Sequence, residues 1–106
     1  MDAIDVTAIE FDFEATIIYW RGPSPFFYAP MPAGPAAELQ QVARFVTYGW
    51  GCIPVEATIA GVRFTTSLFP KDGTFLLPLK AAVRRKINVT AGDTVAVEMW
   101  LQPKQR

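Results

Sequence analysis

The chain has 106 residues, enough for one domain spanning residues 1–106, and its 51% hydrophobic and 19% charged content excludes an intrinsically disordered chain. Ten Lys and Arg offset ten Asp and Glu, so no net positive field supports nucleic-acid binding. With no histidine and a single cysteine, Cys52, a Ser-His-Asp triad, a Cys-His pair, an HExxH motif, an ordinary zinc site and an internal disulfide are excluded.

The N-terminal run "MDAIDVTAIEFDFE" is acidic, without a basic leader or a long apolar core, and nowhere do about 18 apolar residues follow one another. The expectation is a soluble, cytoplasmic protein with no membrane span. "IEFDFEATIIY" alternates Ile9, Phe11, Phe13, Ala15 and Ile17 with Glu10, Asp12, Glu14 and Thr16, the period of a half-buried strand. Continued, that alternation buries Tyr19 and turns Ile18 and Trp20 to the other face. "WRGPSPFFYAPMP" mixes turn formers with Phe26, Phe27 and Tyr28 and predicts a short or edge strand near residues 25–30.

From Pro35 the period changes. Leu39, Val42, Ala43 and Val46 share one face and Glu38, Gln40, Gln41 and Arg44 the other, which predicts an amphipathic helix of about three turns. Pro35 suits its first position, Glu38 its positive end and Gly49 its stop, and its apolar face should plug the end of a sheet or barrel.

"IPVEATIAGVRFTTSLFP" reads as two strands around a turn at Ala60 and Gly61, with Val55, Ala57 and Ile59 on one face and Phe64, Thr66 and Leu68 on the matching one. "KDG" at 71–73 is the next turn, and "TFLLPL" a strand stopped by Pro78. Leu79, Ala82, Val83 and Ile87 mark a short helix, and Val95, Val97, Met99 and Leu101 alternate in the last strand. Six strands with two short helices predict a mainly β domain, a small closed or double-split β-barrel.

"YGWGCIPVEATI", "FTTSLFPKDGTFLLPLKAAVRR" and "AGDTVAVEM" resemble the bacterial domain-of-unknown-function family nineteen-oh-five, and "WRGPSPFFYAPMP" is similar to its first hairpin, so the likeness spans about residues 9–101. The resemblance implies a closed or split β-barrel with two short helices, and it implies no activity. Relatives carry this domain alone or fused to a second one associated with bacteriocin protection, and the expectation here is the first arrangement. A local similarity to AbrB-type double-split barrel regulators rests on Gly73, Pro78, Arg84, Gly92, Asp93 and Val95. That similarity implies a DNA-binding dimer, whereas the length and the aromatic first half depart from those short chains.

Charge is divided unequally. Residues 1–60 carry two cations against seven acids, a balance of −5, and residues 61–106 carry eight against three, a balance of +5. Lys80, Arg84, Arg85 and Lys86 are the nucleic-acid candidates, yet helical geometry spreads them over several faces, and the last two suit a helix C-terminus. Ser67 with Lys71 or Lys80 is the one nucleophilic pair on offer, and it requires a buried, neutral lysine. Cys52 has no cation beside it in sequence to activate its thiol and reads as a packing residue. Glu10, Asp12 and Glu14, spaced by two, form the solvated face of a strand.

The reading that remains is a non-enzymatic module, without cofactor or metal, that binds a small molecule or a protein partner, with a homodimer left open. Its contact surface is expected to join Trp20, Tyr48 and Trp50 to Arg63, Lys71 and Arg84.

Overall fold

The computed structural model describes residues 9–21, 27–46 and 51–102. Alternation governs the first strand: in β1 (Glu10–Thr16) Phe11, Phe13 and Ala15 are buried, and the residues between them face water. The pattern breaks at Ile17. Its N–H donates to the Asp93 carbonyl at 2.8 Å and its own carbonyl accepts from the Gly92 N–H at 2.8 Å, which takes it out of the strand ladder. The chain resumes as β2 (Ile18–Tyr19), paired with β3 (Phe27–Pro30) rather than with the partner of β1. The expected strand of residues 9–19 is therefore two strands. Tyr19, expected to be buried, is 53% exposed because the alternation does not carry across the break.

Helix α1 (Ala33–Val46) begins two residues before the expected start, so Pro35 sits within the first turn rather than opening it, and Glu38 falls beyond that turn. A proline is tolerated there because the first N–H groups of a helix have no internal partner. Ala36 and Leu39 enter the core, and Val42 and Ala43 pack at its margin. The expected stop at Gly49 lies outside the described residues.

Strands β4 (Ile53–Ile59) and β5 (Val62–Lys71) form the expected hairpin, with Ala60 and Gly61 both at positive φ, 52° and 80°. Such a pair matches the right-handed twist of the flanking strands. The next turn repeats the device with Asp72 and Gly73 at 52° and 81° and leads into β6 (Thr74–Pro78). Helix α2 (Ala81–Ile87) follows, with Lys80 at its N-cap and Asn88 closing it in the left-handed conformation. Leu79, expected within this helix, precedes it and is fully buried. Strand β7 (Thr94–Leu101) buries Val95, Val97, Met99 and Leu101 as its alternation requires.

All pairings are antiparallel, in the order β1-β7-β4-β5-β6-β3-β2. The domain is mainly β, and the described residues form seven strands in a curled half-barrel, where a closed or double-split barrel of about six strands was expected. The extra strand is the product of the break at Ile17, which sends the two halves of one run to opposite ends of the order. No described helix is long and apolar enough to cross a membrane.

The two ends of this sheet differ chemically. Outside β1 and β7, Glu10, Asp12, Glu14 and Glu98 are exposed, and Asp12 lies directly opposite Glu98. Like charges so placed repel. Lost hydration, and then the negative charges of Asp12 and Glu98, push the Glu10 carboxyl above its ordinary value of 4.5. The folded form thus holds that proton more tightly than the unfolded chain, and its stabilisation is lost as pH rises through the Glu10 pKa. Glu10→Gln is expected to unfold at a higher temperature than the wild type at neutral pH, the two midpoints converging below pH 4.5. Calorimetry at both pH values checks this, and equal midpoints throughout would refute it.

At the other end, Phe75, Leu76 and Leu77 are buried in succession along β6. Leu77 joins the main core, while Leu76 and Tyr28 are buried apart from it. The β5–β6–β3 region is apolar on both faces, a pattern that consecutive apolar residues in a strand produce.

Candidate functional site

The most ordered cation–aromatic arrangement grows from Phe27. Its backbone carbonyl accepts the Leu79 N–H at 2.9 Å, which pins the chain leaving β6 against β3 just before α2 begins. One turn into α2, Arg84 reaches back and donates from Nε to the Leu79 carbonyl at 3.1 Å. Its guanidinium carbon then lies 3.8 Å from the centre of the Phe27 ring. Tyr19, opposite Phe27 across the β2–β3 ladder, meets the same ring edge-on at 5.2 Å. The ring of one phenylalanine thereby contacts both an arginine and an exposed tyrosine, while its backbone carbonyl holds Leu79.

The half-buried Arg84 contributes to a depression of about 230 Å³ lined also by Arg85, Asn88, Val89 and Thr90. The carbonyl of Arg84 accepts the N–H groups of Asn88 and Val89, and Asp93 accepts the Thr90 N–H at 2.8 Å. Local acceptors are thus already engaged. Among the described residues the ion pairs shown are Arg63–Glu56 at 3.0 Å and Lys71–Asp72 at 2.9 Å, and no carboxylate pairs with Lys80, Arg84, Arg85 or Lys86.

A second cluster lies at the far end of β5. Trp20 packs against Tyr28 at 5.6 Å and Phe69 at 5.8 Å, and the Lys71 ammonium sits 4.6 Å from the Trp20 ring centre. Of the expected contact surface, then, Lys71 meets Trp20, while Arg84 meets Phe27. Arg63 is placed apart from both, near the opposite end of the ten-residue β5 and up to about 27 Å from Lys71. It lies instead beside a depression with Glu56, Trp100, Leu101 and Gln102. Tyr48 and Trp50 lie outside the described residues.

Phe27, Tyr19 and Leu79 were not singled out as contact residues from sequence. The aromatic run was visible there, but nothing local says that Phe27 lies under a helix near the other end of the chain.

Of the four basic residues in and beside α2, Lys80, Arg85 and Lys86 are exposed, and Arg84 is turned inward onto Phe27. Lys71 gives its ammonium to Asp72 and Trp20, and Lys80 stands in water at the N-cap. Burial pushes the Cys52 thiol above its ordinary value of 9.0, away from the thiolate that nucleophilic or redox chemistry uses. Among the described residues no three acidic or cysteine side chains are grouped to hold a metal ion.

No curated protein matches the chain. Residues 13–99 match the model of a family described as "Domain of unknown function (DUF1905)", which covers every described element from the middle of β1 into β7. With well over half of its length matched, the chain belongs to the DUF1905 family.

Proposed function

We propose that this domain is a non-enzymatic binding module that recognises a small ligand with the face formed by β2, β3 and the C-terminal half of α2. The observation that carries this reading is the fixed position of Arg84, stacked on Phe27 and bonded to the Leu79 carbonyl, without a carboxylate partner among the described residues. A guanidinium held at both its edge and its face loses less freedom when a ligand binds than a solvated one does. The exposed Tyr19 packs on the same Phe27 ring and adds apolar surface to this face.

Backbone amide chemical shifts, followed while pools of anionic, cationic and neutral small molecules are added, test the reading. The expected result is that binders move the resonances of Tyr19, Phe27, Arg84, Val89 and Thr90 together. Binders that move only the β1–β7 face, or a full set of pools with no binder, would overturn it.

A further inference from the structure

Resting on the binding face just described, we infer that its ligand is a small organic anion, a phosphate monoester or carboxylate carried on a flat apolar body. The anionic head is seated among Arg84, Arg85, Asn88 and Thr90, and the body lies on Tyr19.

The donor set makes the first half of the argument. Arg84, Arg85, Asn88 and Thr90 border one depression, and the side chain of each carries a hydrogen-bond donor. The planar guanidinium is the side chain best matched to carboxylate and phosphate oxygens, because it presents parallel N–H groups in a fixed fork. Arg84 spends Nε on Leu79 and its face on Phe27, which leaves its terminal amino groups for a ligand.

Two local features would oppose an anion, and both are muted. The C-terminal end of a helix carries partial negative charge. Here the helix has only seven residues, and the Arg84 carbonyl near its end already accepts two N–H groups. Asp93 is the nearby carboxylate, and it is engaged with the Thr90 N–H.

Size makes the second half. A depression of about 230 Å³ is below the ~300–1,000 Å³ of sites that enclose a drug-sized ligand, so it holds a head group and leaves the rest of the molecule outside. The side chain beside Phe27 that is most open to receive that remainder is Tyr19, at 53% exposure. A nucleic-acid backbone fits less well. It would engage several cations along one face, whereas Lys80, Arg85 and Lys86 point in different directions around α2.

The test uses inorganic phosphate and phenyl phosphate as probes, with amide shifts and titration calorimetry on the intact chain. Phenyl phosphate is expected to bind about 2- to 12-fold more tightly than inorganic phosphate, the range that one aromatic contact supports. Tyr19→Ser should erase that difference while leaving inorganic phosphate binding unchanged. Arg84→Lys should weaken both probes about tenfold, because it keeps the charge and removes the fork. Lys86→Gln removes a charge from the same helix outside the depression and should change either affinity less than about twofold, which separates a seated anion from general attraction.

Equal affinity for the two probes, or equal losses in Arg84→Lys and Lys86→Gln, would overturn the inference. So would a salt-sensitive shift with duplex DNA that Lys86→Gln and Arg84→Lys weaken alike. If neutral or cationic molecules move the Tyr19–Arg84 resonances and neither phosphate does, the binding face stands and the anion assignment falls. If nothing moves them, both fall.

Discussion

Leu77→Ala is expected to lower the unfolding free energy by about 3–5 kcal/mol, the upper range for deleting a buried leucine side chain. Leu77 has no exposed surface, stands in β6 between β5 and β3, and pairs with Ala29. The β3 ladder pairs Leu77 with Ala29, the β5 ladder holds the preceding Leu76, and the neighbouring Leu76 and Leu79 are themselves buried, so the cavity has little freedom to collapse. Domains of this size are stable by only ~5–15 kcal/mol, so the substitution removes about a fifth of the total or more. At roughly 4–8 °C per kcal/mol, the thermal midpoint should fall by more than about 12 °C. Urea titration and calorimetry on the same variant measure both quantities. A loss under about 1.5 kcal/mol would mean that Leu77 is not in a close-packed core.

Phe27→Leu is expected to have the largest combined effect on stability and binding. Leucine retains most of the apolar contact with the core but removes the ring on which Arg84 and Tyr19 rest. An arginine over an aromatic face contributes about 0.5–2 kcal/mol and an edge-to-face ring pair about 0.5–1.5 kcal/mol, so the stability loss should fall between about 1 and 3.5 kcal/mol. Binding suffers separately. Arg84 must then be ordered when a ligand arrives, at about 0.5–1.5 kcal/mol, a loss in affinity of about 2- to 12-fold.

A double-mutant cycle with Arg84→Gln isolates the link between the two residues. A coupling of at least about 0.5 kcal/mol is expected for side chains in contact. Additive effects would show that the stacking of Arg84 on Phe27 carries no energy.

Much of the fold could be read directly because its signals are local. Phe11, Phe13 and Ala15 alternate with acids, as do Val95, Val97 and Met99 with outward residues, and a period of two needs no partner strand to be recognised. Ala60-Gly61 and Asp72-Gly73 mark turns through the backbone angles that glycine tolerates. Leu39, Val42 and Ala43 place α1 on the core by helical spacing alone. The match over residues 13–99 agrees with the resemblance seen in "FTTSLFPKDG" and its flanks.

The candidate site was less legible. Helical spacing spread Lys80, Arg84, Arg85 and Lys86 over several faces without saying what each would meet, and Arg84 is turned inward because Leu79 and Phe27 lie beneath it. Arg63 and Lys71 looked like members of one surface, yet an extended strand carries them to opposite ends.

By itself, then, the amino-acid order determined a mainly β domain with its turns, both helices and most buried faces, since each depends on residues a few positions apart. The tertiary structure decided the break at Ile17, the exposure of Tyr19 and the meeting of Phe27 with Arg84. Those features depend on which strands become neighbours. Ile17 leaves its ladder because the Gly92–Asp93 turn supplies hydrogen bonds from the far end of the chain, and Arg84 finds an aromatic face because β6 pairs with β3. Contacts so distant in sequence follow from packing the whole chain and have no local periodicity to announce them.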